Sequence, residues 1–376
     1  MRVISRMNVG GPAVQVSGLL RGLSSDQFEQ RLYTGFCAEN EADYLELVAT
    51  DVKAERIHGF GRRINFRGDF KAFISLVVEI RKFKPHIIHT HTAKAGILGR
   101  AASIVSLVPS IRVHTFHGHL LNGYFGKFKR SIVVIVERFL SLYTHRLLAV
   151  GVNVRQDLLR AGIGTIDKFG IMPPGVDFGN SLTKTQAQSD LGLNVGVFQC
   201  AYIGRVTKIK RPDRFLDVVR EMHKRDCALE FFIAGDGEEL DHCREMIIRE
   251  SLPVKILGWQ LDIEKVLAAA DVVILTSDNE GTPLSLIQAG MSGLPVVSTN
   301  VGSVSEVILD GITGFLTTLN TQEIGDALEK LMNDKNLRLE FGLAAKKFTT
   351  DNFGVKRLVY DHEKLYKDLM SNQAKF

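Results

Sequence analysis

Short runs of β-branched and other apolar residues alternate along the chain with longer stretches whose apolar positions recur at helical spacing. The short runs predict strands at Val3–Ser5, near Arg31–Thr34, at His86–His89, Arg112–Thr115 and Leu147–Val150. A second series follows at Val197–Ile203, Leu229–Ala234, Val254–Leu257, Val272–Leu275 and Pro295–Ser298. Strands that alternate with helices in this way form parallel sheets covered on both faces, so the pattern predicts an α/β protein with two βα series of similar size. Between the series lies Pro173-Pro174-Gly175-Val176-Asp177, then a polar stretch from Asn180 to Asp190, read as a linker and the first helix beyond it. The boundary is expected near residue 177.

At 376 residues, a single core would usually have split, which agrees with two domains. Cys37, Cys200, Cys227 and Cys243 are scattered, without a C-x-x-C pair or metal-ligand spacing, so neither a disulfide framework nor a zinc cage is suggested. No uninterrupted apolar stretch approaches the roughly 18 residues of a membrane span, and the expected location is cytoplasmic, with the inner face of the cell membrane also open. Charge is unevenly shared. Residues 1–178 carry a net +10 and residues 179–376 a net −5, which points the first half toward an anionic partner such as phospholipid, a lipid-linked pyrophosphate or nucleic acid.

In open α/β sheets, ligands bind beyond the C-terminal ends of the strands, and the notable residues fall there. Asn8-Val9-Gly10-Gly11-Pro12 closes the first strand ahead of a helix from about Ala13. Its glycines suit either an anion at a helix N-terminus or a tight turn. A dinucleotide fingerprint would need a third glycine, which is missing, so hydride chemistry is not expected. His89/His91 and His117/His119 form two His-x-His pairs. They fit a polar active-site wall, a metal site or plain loop packing; no D-x-D motif accompanies them. In the second half, Arg205, Lys208, Lys210 and Arg211 follow a strand end, where cations can neutralise a diphosphate or form a solvated basic loop. Glu280 and Gln288 lie about two helical turns apart by count, close enough to serve one sugar or nucleotide, while Glu280 could otherwise cap a helix. Asn300 to Val304 is read as the start of another helix with a second anion-binding N-terminus.

The run Ser277-x-x-Glu280-Gly281-x-Pro283-x4-Gln288-Ala289-x3-Gly293-x-Pro295-Val296-Val297 resembles the E-x7-E signature of retaining glycosyltransferases of family 4. The likeness continues through Gly204-Arg205-x4-Lys210, Ala234-Gly235-Asp236-Gly237, Gly258-Trp259, Ala270-Asp271 and the glycines at 10 and 11, and so covers nearly the whole chain. It implies a GT-B fold, two facing Rossmann-like domains with parallel sheets and an interdomain cleft. Residues 1–177 would bind the acceptor and residues 178–355 the nucleotide-sugar donor, with a helix over 356–376 packing back on the first domain.

By the same resemblance, Arg205 and Lys210 would hold the donor pyrophosphate and stabilise the leaving diphosphate, Glu280 would contact hydroxyls of the transferred sugar, and His117 would stand near the reacting sugar. Gly10, Gly11, Gly281, Thr282, Pro283, Gly302 and Ser303 join the expected donor contacts; His91, Lys94 and His119 are expected on the acceptor side. Gln288 stands where the family has its second glutamate, which holds the ribose, and an amide offers one acceptor oxygen and no charge there. Few residues precede the first loop, short for this family, which places the expected initiation site upstream. The implied reaction retains anomeric configuration and uses neither metal nor cofactor, the donor being a UDP-sugar ahead of a GDP-sugar.

Arg62, Arg63 and Arg67 with Phe60 and Phe66, and Tyr124, Phe125, Lys127, Phe128, Lys129 and Arg130, mix cations with aromatics as interfacial segments do. A lipid-linked saccharide of bacterial surface polysaccharide assembly would fit such a half as acceptor. A GT-B nucleotide-sugar epimerase and a non-catalytic nucleotide-sugar binding protein are the rival readings. Nucleic-acid binding finds no motif to support it.

Overall fold

The structure, a computed structural model, describes residues 1–39, 41–61, 64–118, 127–179 and 182–373. His119, Arg62, Arg63, Tyr124, Phe125 and Asn180 lie outside the described residues, as do the side chains of Lys127, Phe128 and Lys129. The chain divides into two compact units. One holds Met1–Val176 with Val355–Phe376, the other Asp177–Gly354.

The first unit is built from β1 (Arg2–Ile4), α1 (Gly11–Gly22), β2 (Leu32–Thr34), α2 (Tyr44–Leu47), β3 (Glu55–Arg56), α3 (Phe66–Phe83) and β4 (Ile87–His91). It continues through α4 (Ala93–Ser106), β5 (Ile111–Phe116), α5 (Lys127–Leu142), β6 (Arg146–Ala149), α6 (Val152–Arg160) and β7 (Phe169–Ile171). The strands form one parallel sheet in the order β3-β2-β1-β4-β5-β6-β7. Helices cover both faces, so central strands such as β1 are buried throughout, as near-continuous apolar runs require.

In the second unit come α7 (Lys184–Asp190), β8 (Phe198–Ile203), α8 (Pro212–Lys224), β9 (Leu229–Ala234), α9 (Leu240–Glu250), β10 (Val254–Gly258) and α10 (Ile263–Ala268). Then follow β11 (Val272–Leu275), α11 (Leu284–Met291), β12 (Val296–Thr299), β13 (Gly314–Thr317), α12 (Thr321–Asn333) and α13 (Lys335–Phe353). Its parallel sheet runs β10-β9-β8-β11-β12-β13. Phe215, Phe231 and Ile233 centre the core on one face of that sheet. Each such buried side chain contributes about 1.5–3 kcal/mol over an exposed one.

The last helix, α14 (Val355–Gln373), returns to the first unit and lies along α1. Two glycines one turn apart on α1 make room for it, since a Cβ at Gly18 would come within 2.9 Å of Val355 and one at Gly22 within 2.3 Å of Val359. Arg357 donates to the carbonyls of Pro173 and Pro174. Leu358 is buried beside Leu19, but Tyr360 is 64% exposed. His362 and Tyr366 take the inward positions instead.

Three strands, β3, β7 and β13, were not expected from the sequence. All three are short outer strands of their sheets, and the charged Glu55–Arg56 pair and glycine-containing β7 and β13 lack the apolar run that marks a central strand. The helix expected from about residue 300 is also corrected: only Val304–Glu306 form a three-residue 3-10 turn.

Candidate active site

Strand order reverses direction at β1/β4 in the first unit and at β8/β11 in the second, and the loops beyond those pairs are where a doubly wound sheet opens to a ligand. In the first unit, Gly10 caps α1, and a side chain at Gly11 would meet no atom within 4 Å. Across the reversal, Thr92 follows β4 with φ 69°, a backbone state unfavourable for a β-branched residue. Its hydroxyl pairs with that of Ser5 at 2.5 Å, which ties the two loops together.

Register aligns Ile4 with His91, so the histidines of β4 rise beside the end of β1. His89 and His91 project to the same face of the strand, with ring centroids 4.2 Å apart. His89 is held between the hydroxyls of Tyr366, at 2.6 Å, and Thr115, at 2.7 Å. His91 is fully buried and shares a hydrogen bond of 3.0 Å with His117, while its other ring nitrogen has no partner. Of the pair, only His117 keeps partial access to solvent. Burial pushes the His117 imidazole down to about 4, and burial reinforced by neighbouring imidazoles and Arg2 holds His89 and His91 well below the usual histidine range. This wall is therefore neutral at pH 7, able to donate or accept one hydrogen bond without bringing charge.

His91, wholly buried, thus stands behind the more accessible His117. Lys94, expected on the acceptor side, is engaged by Asp69 of α3 at 2.5 Å, and both side chains are mostly buried. Among the described residues, no group of three or more His, Cys, Asp or Glu side chains is placed to hold a metal ion.

In the second unit the reversal carries charge. Gly204 follows β8, where an added Cβ would meet no atom within 4 Å, and the side chain of Arg205 after it is exposed, pairing with no other described residue. The loop is laced to the end of β11: Asp278 donates its N–H to Ile209, and the Thr276 hydroxyl bonds the carbonyls of Lys210 and Arg211. That lacing brings the Lys210 ammonium to the Glu280 carboxylate at 2.5 Å, with Ser277 donating to the same oxygen at 2.5 Å. Glu280 is only 8% exposed and Lys210 19%. Arg211, counted above among the phosphate-binding cations, is instead committed to Asp213 and Asp278, and Arg214 braces Asp278 from beneath.

Glu280 does not cap a helix. Pro283 occupies the N-cap of α11, so Glu280 lies ahead of the helix while Gln288 sits in its second turn, and the two are not separated by two turns of one helix. The Glu280 carbonyl accepts the N–H of Ser303 at 3.1 Å, which seats the loop after β12 directly over it. A Cβ at Gly302 would fall 1.9 Å from that carbonyl, and its φ of +56° is itself a glycine conformation. With the N–H groups of Ser303 and Val304 both used within the protein, this turn offers less to an anion than the helix start expected there. The Ser303 hydroxyl is buried without a partner. Gln288 is half-buried, and its amide bonds to no other described residue.

Sequence reading did not single out Ser277, Thr276 or Asp278 for their supporting roles, although all lie within or beside the quoted motif. Nothing in the sequence pointed to Tyr366 and His362, because their partners lie some 270 residues away along the chain.

Two doubly wound parallel sheets in tandem, each with polar loops at its reversal point, make up the GT-B fold. Residues 9–179 match the model described as Glycosyltransferase Family 4, and residues 183–348 match Glycosyl transferases group 1. The chain belongs to this glycosyltransferase family and is a glycosyltransferase. It is 29% identical to the UDP-Gal:alpha-D-GlcNAc-diphosphoundecaprenol alpha-1,3-galactosyltransferase of Escherichia coli, covering 93% of this chain and 92% of that one. It is 22% identical to the capsular polysaccharide biosynthesis glycosyltransferase CapM of Staphylococcus aureus, over 88% and 89% of the two chains. In fold it resembles Anabaena Alr3699/HepE, solved in complex with UDP and glucose, with a TM-score of 0.83 at 19% identity over 97% and 98% of the chains.

Proposed function

We propose that this glycosyltransferase moves a sugar from a UDP-sugar to a hydroxyl of a lipid-linked saccharide, with retention of configuration and without a metal. The observation that carries the reading is the Lys210–Glu280 pair at the β8/β11 reversal, beside the exposed Arg205. Cations fixed at that point meet the negative charge that grows as a nucleoside diphosphate departs. The names of the Escherichia coli relative, which states a UDP-galactose donor and a diphosphoundecaprenol acceptor, and of the UDP-bound Anabaena structure support the donor and acceptor classes.

In this reading the acceptor oxygen forms its bond to the anomeric carbon on the face from which the diphosphate leaves. The anomeric carbon–oxygen bond breaks, its electron pair leaves with the diphosphate, and the acceptor proton passes to a departing phosphate oxygen. Arg205 and Lys210 stabilise that diphosphate. Glu280, held in place by Lys210 and Ser277, accepts hydrogen bonds from hydroxyls of the transferred sugar. Gln288 meets the ribose with one acceptor oxygen, weaker than a carboxylate by about 1–2 kcal/mol. His117, neutral at pH 7, gives the sugar a hydrogen-bond partner without drawing the diphosphate away from the cations. Among the described residues no helix is long and apolar enough to cross a membrane, and a cytoplasmic place at the membrane's inner face suits a lipid-linked acceptor.

The test is transfer of labelled sugar from UDP-sugars to polyprenyl-diphosphate-linked saccharides in EDTA, with the product's anomeric configuration read by NMR. An α-linked product from an α-linked donor, formed equally with EDTA, is expected. An inverted product, or transfer restored only by a divalent metal, contradicts the mechanism.

A further inference from the structure

Helix α3 buries Leu76, Val77 and Ile80 but leaves a second row of apolar residues in solvent. Phe66, Phe70, Ile74 and Val78, each four positions after the last, are 87%, 66%, 44% and 42% exposed, and so form one ridge along the helix. Helix α5 repeats the feature, with Ile135, Phe139 and Leu142 at 64%, 57% and 70%. Helix α4 packs against both, so the two ridges belong to one helical layer on the same face of the sheet. Ordinary surfaces scatter such side chains singly; two ridges in one layer mark a binding surface.

The charges on the layer are one-sided. The outward turns of α3 carry Arg67, Lys71 and Arg81, and those of α5 carry Arg130 and Arg138, all exposed, while Lys82 is matched by Glu79. The carboxylates of these helices are directed elsewhere. Asp69 pairs with Lys94, Glu79 turns to Lys82 and Tyr33, and Glu137 is wholly buried against Arg100 at 2.6 Å. A second copy of this chain would set cations against cations across such a face. An anionic surface with an apolar interior complements it in both respects.

We propose that the outer face of α3 and α5 docks on an anionic phospholipid bilayer, the aromatic and aliphatic ridges entering the headgroup boundary while the cations meet lipid phosphates. The Asp69–Lys94 pair fixes the Phe66–Phe70 end of α3 beside the start of α4, and α4 begins just past His91, so this end of the ridge lies at the sheet edge that bears His117. A lipid-linked acceptor seated in the same bilayer is thereby presented on the correct side. That last link rests on the acceptor reading above; the docking surface does not.

The experiment is cosedimentation of the full chain with vesicles of phosphatidylglycerol and phosphatidylcholine, against phosphatidylcholine alone. Binding only to the anionic vesicles is expected, weakened by salt and reduced by about tenfold or more in Phe66→Ser/Phe70→Ser and in Arg67→Glu/Lys71→Glu. These positions are exposed, so unchanged circular dichroism separates lost docking from lost folding. Failure to bind either vesicle, or binding that both variants leave intact, overturns the proposal. A concentration-dependent dimer dispersed by the same variants also overturns it, assigning the face to a second copy. In a parallel transfer assay the variants keep wild-type rates on a short-chain soluble acceptor and lose them on the vesicle-borne one. Vesicle binding without sugar transfer to either acceptor leaves the surface standing and removes the acceptor reading alone.

Discussion

The two reversal points of this enzyme treat ionisable groups in opposite ways. In the first unit, His89, His91 and His117 are packed so deeply, or so close to buried neighbours, that they stay neutral, and their hydrogen bonds run through hydroxyls and one another. In the second, charges are kept and paired, Lys210 with Glu280 and Arg211 and Arg214 with Asp278. Both loops occupy equivalent positions in equivalent sheets. Position in the fold therefore selects where a ligand is met, while burial against pairing decides its character; in the reading proposed above, the first would meet an uncharged sugar and the second a diphosphate.

The comparison breaks most visibly at the exception to it. Arg100 and Glu137 form a buried ion pair inside the first unit, 1% and 0% exposed. Arg100→Met leaves the carboxylate buried alone and should lower unfolding free energy by about 3–5 kcal/mol in urea titration, whereas Arg100→Met/Glu137→Leu should recover most of it. Equal losses in the single and double variants would mean that packing, not charge, holds α4 to α5.

Next in size is Lys210→Ala. With the cation gone from the second reversal, kcat should fall by about 10²–10³-fold in a sugar-transfer assay, with the folded spectrum retained. A change of less than about threefold would take Lys210 out of the reaction.

Acid should separate the two units. Imidazoles whose folded pKa is depressed stabilise the fold above their unfolded value near 6.5, and that contribution is lost as pH falls toward the folded value, about 4 for His117 and about 3 for His362. Each buried histidine then removes up to about 1.4 kcal/mol per pH unit between pH 7 and 5. In the second unit, Asp213 is lowered from 3.8 by Arg211 and titrates below that window. Trp259, the chain's single tryptophan, lies in the second unit and reports on it alone. Between pH 7 and 5, its urea midpoint should move less than the midpoint read by far-UV circular dichroism; equal movement would deny the contrast.

The smallest effect concerns Gln288. Glu at this position adds charge-assisted acceptance for two ribose hydroxyls and should tighten UDP by about 1 kcal/mol in calorimetry, with the same product. Weaker binding would mean that the amide's donor, rather than its oxygen, meets the ligand.

Much of this was legible beforehand, for identifiable reasons. Leu229–Ala234 and Val272–Leu275 were read to the residue, because central parallel strands are apolar on both faces and announce themselves as unbroken runs. Arg205, Lys210 and Glu280 stand out in the sequence because they follow strand ends within recognisable motifs. What spacing alone misjudged was local backbone: Glu280 and Gln288 look two helical turns apart until Pro283 is seen to start the helix between them. The 3-10 turn at Val304 was hidden for a similar reason, since the Glu280 carbonyl captures the Ser303 N–H that a helix start would leave free. Tyr366 and His362, which back the histidine wall, became visible only once α14 was seen lying along α1. Tyr360 stays in solvent, and His362 and Tyr366 turn inward on that helix instead.

The central claim is that the second unit grips a nucleoside diphosphate with fixed cations and no metal. Calorimetric titration of the purified chain with UDP, GDP, ADP and NAD in EDTA tests it most directly. Selective binding of UDP that is undiminished by EDTA and lost in Lys210→Ala is the predicted result. Binding of none of the four, or of UDP only after a divalent metal is added, would contradict the account.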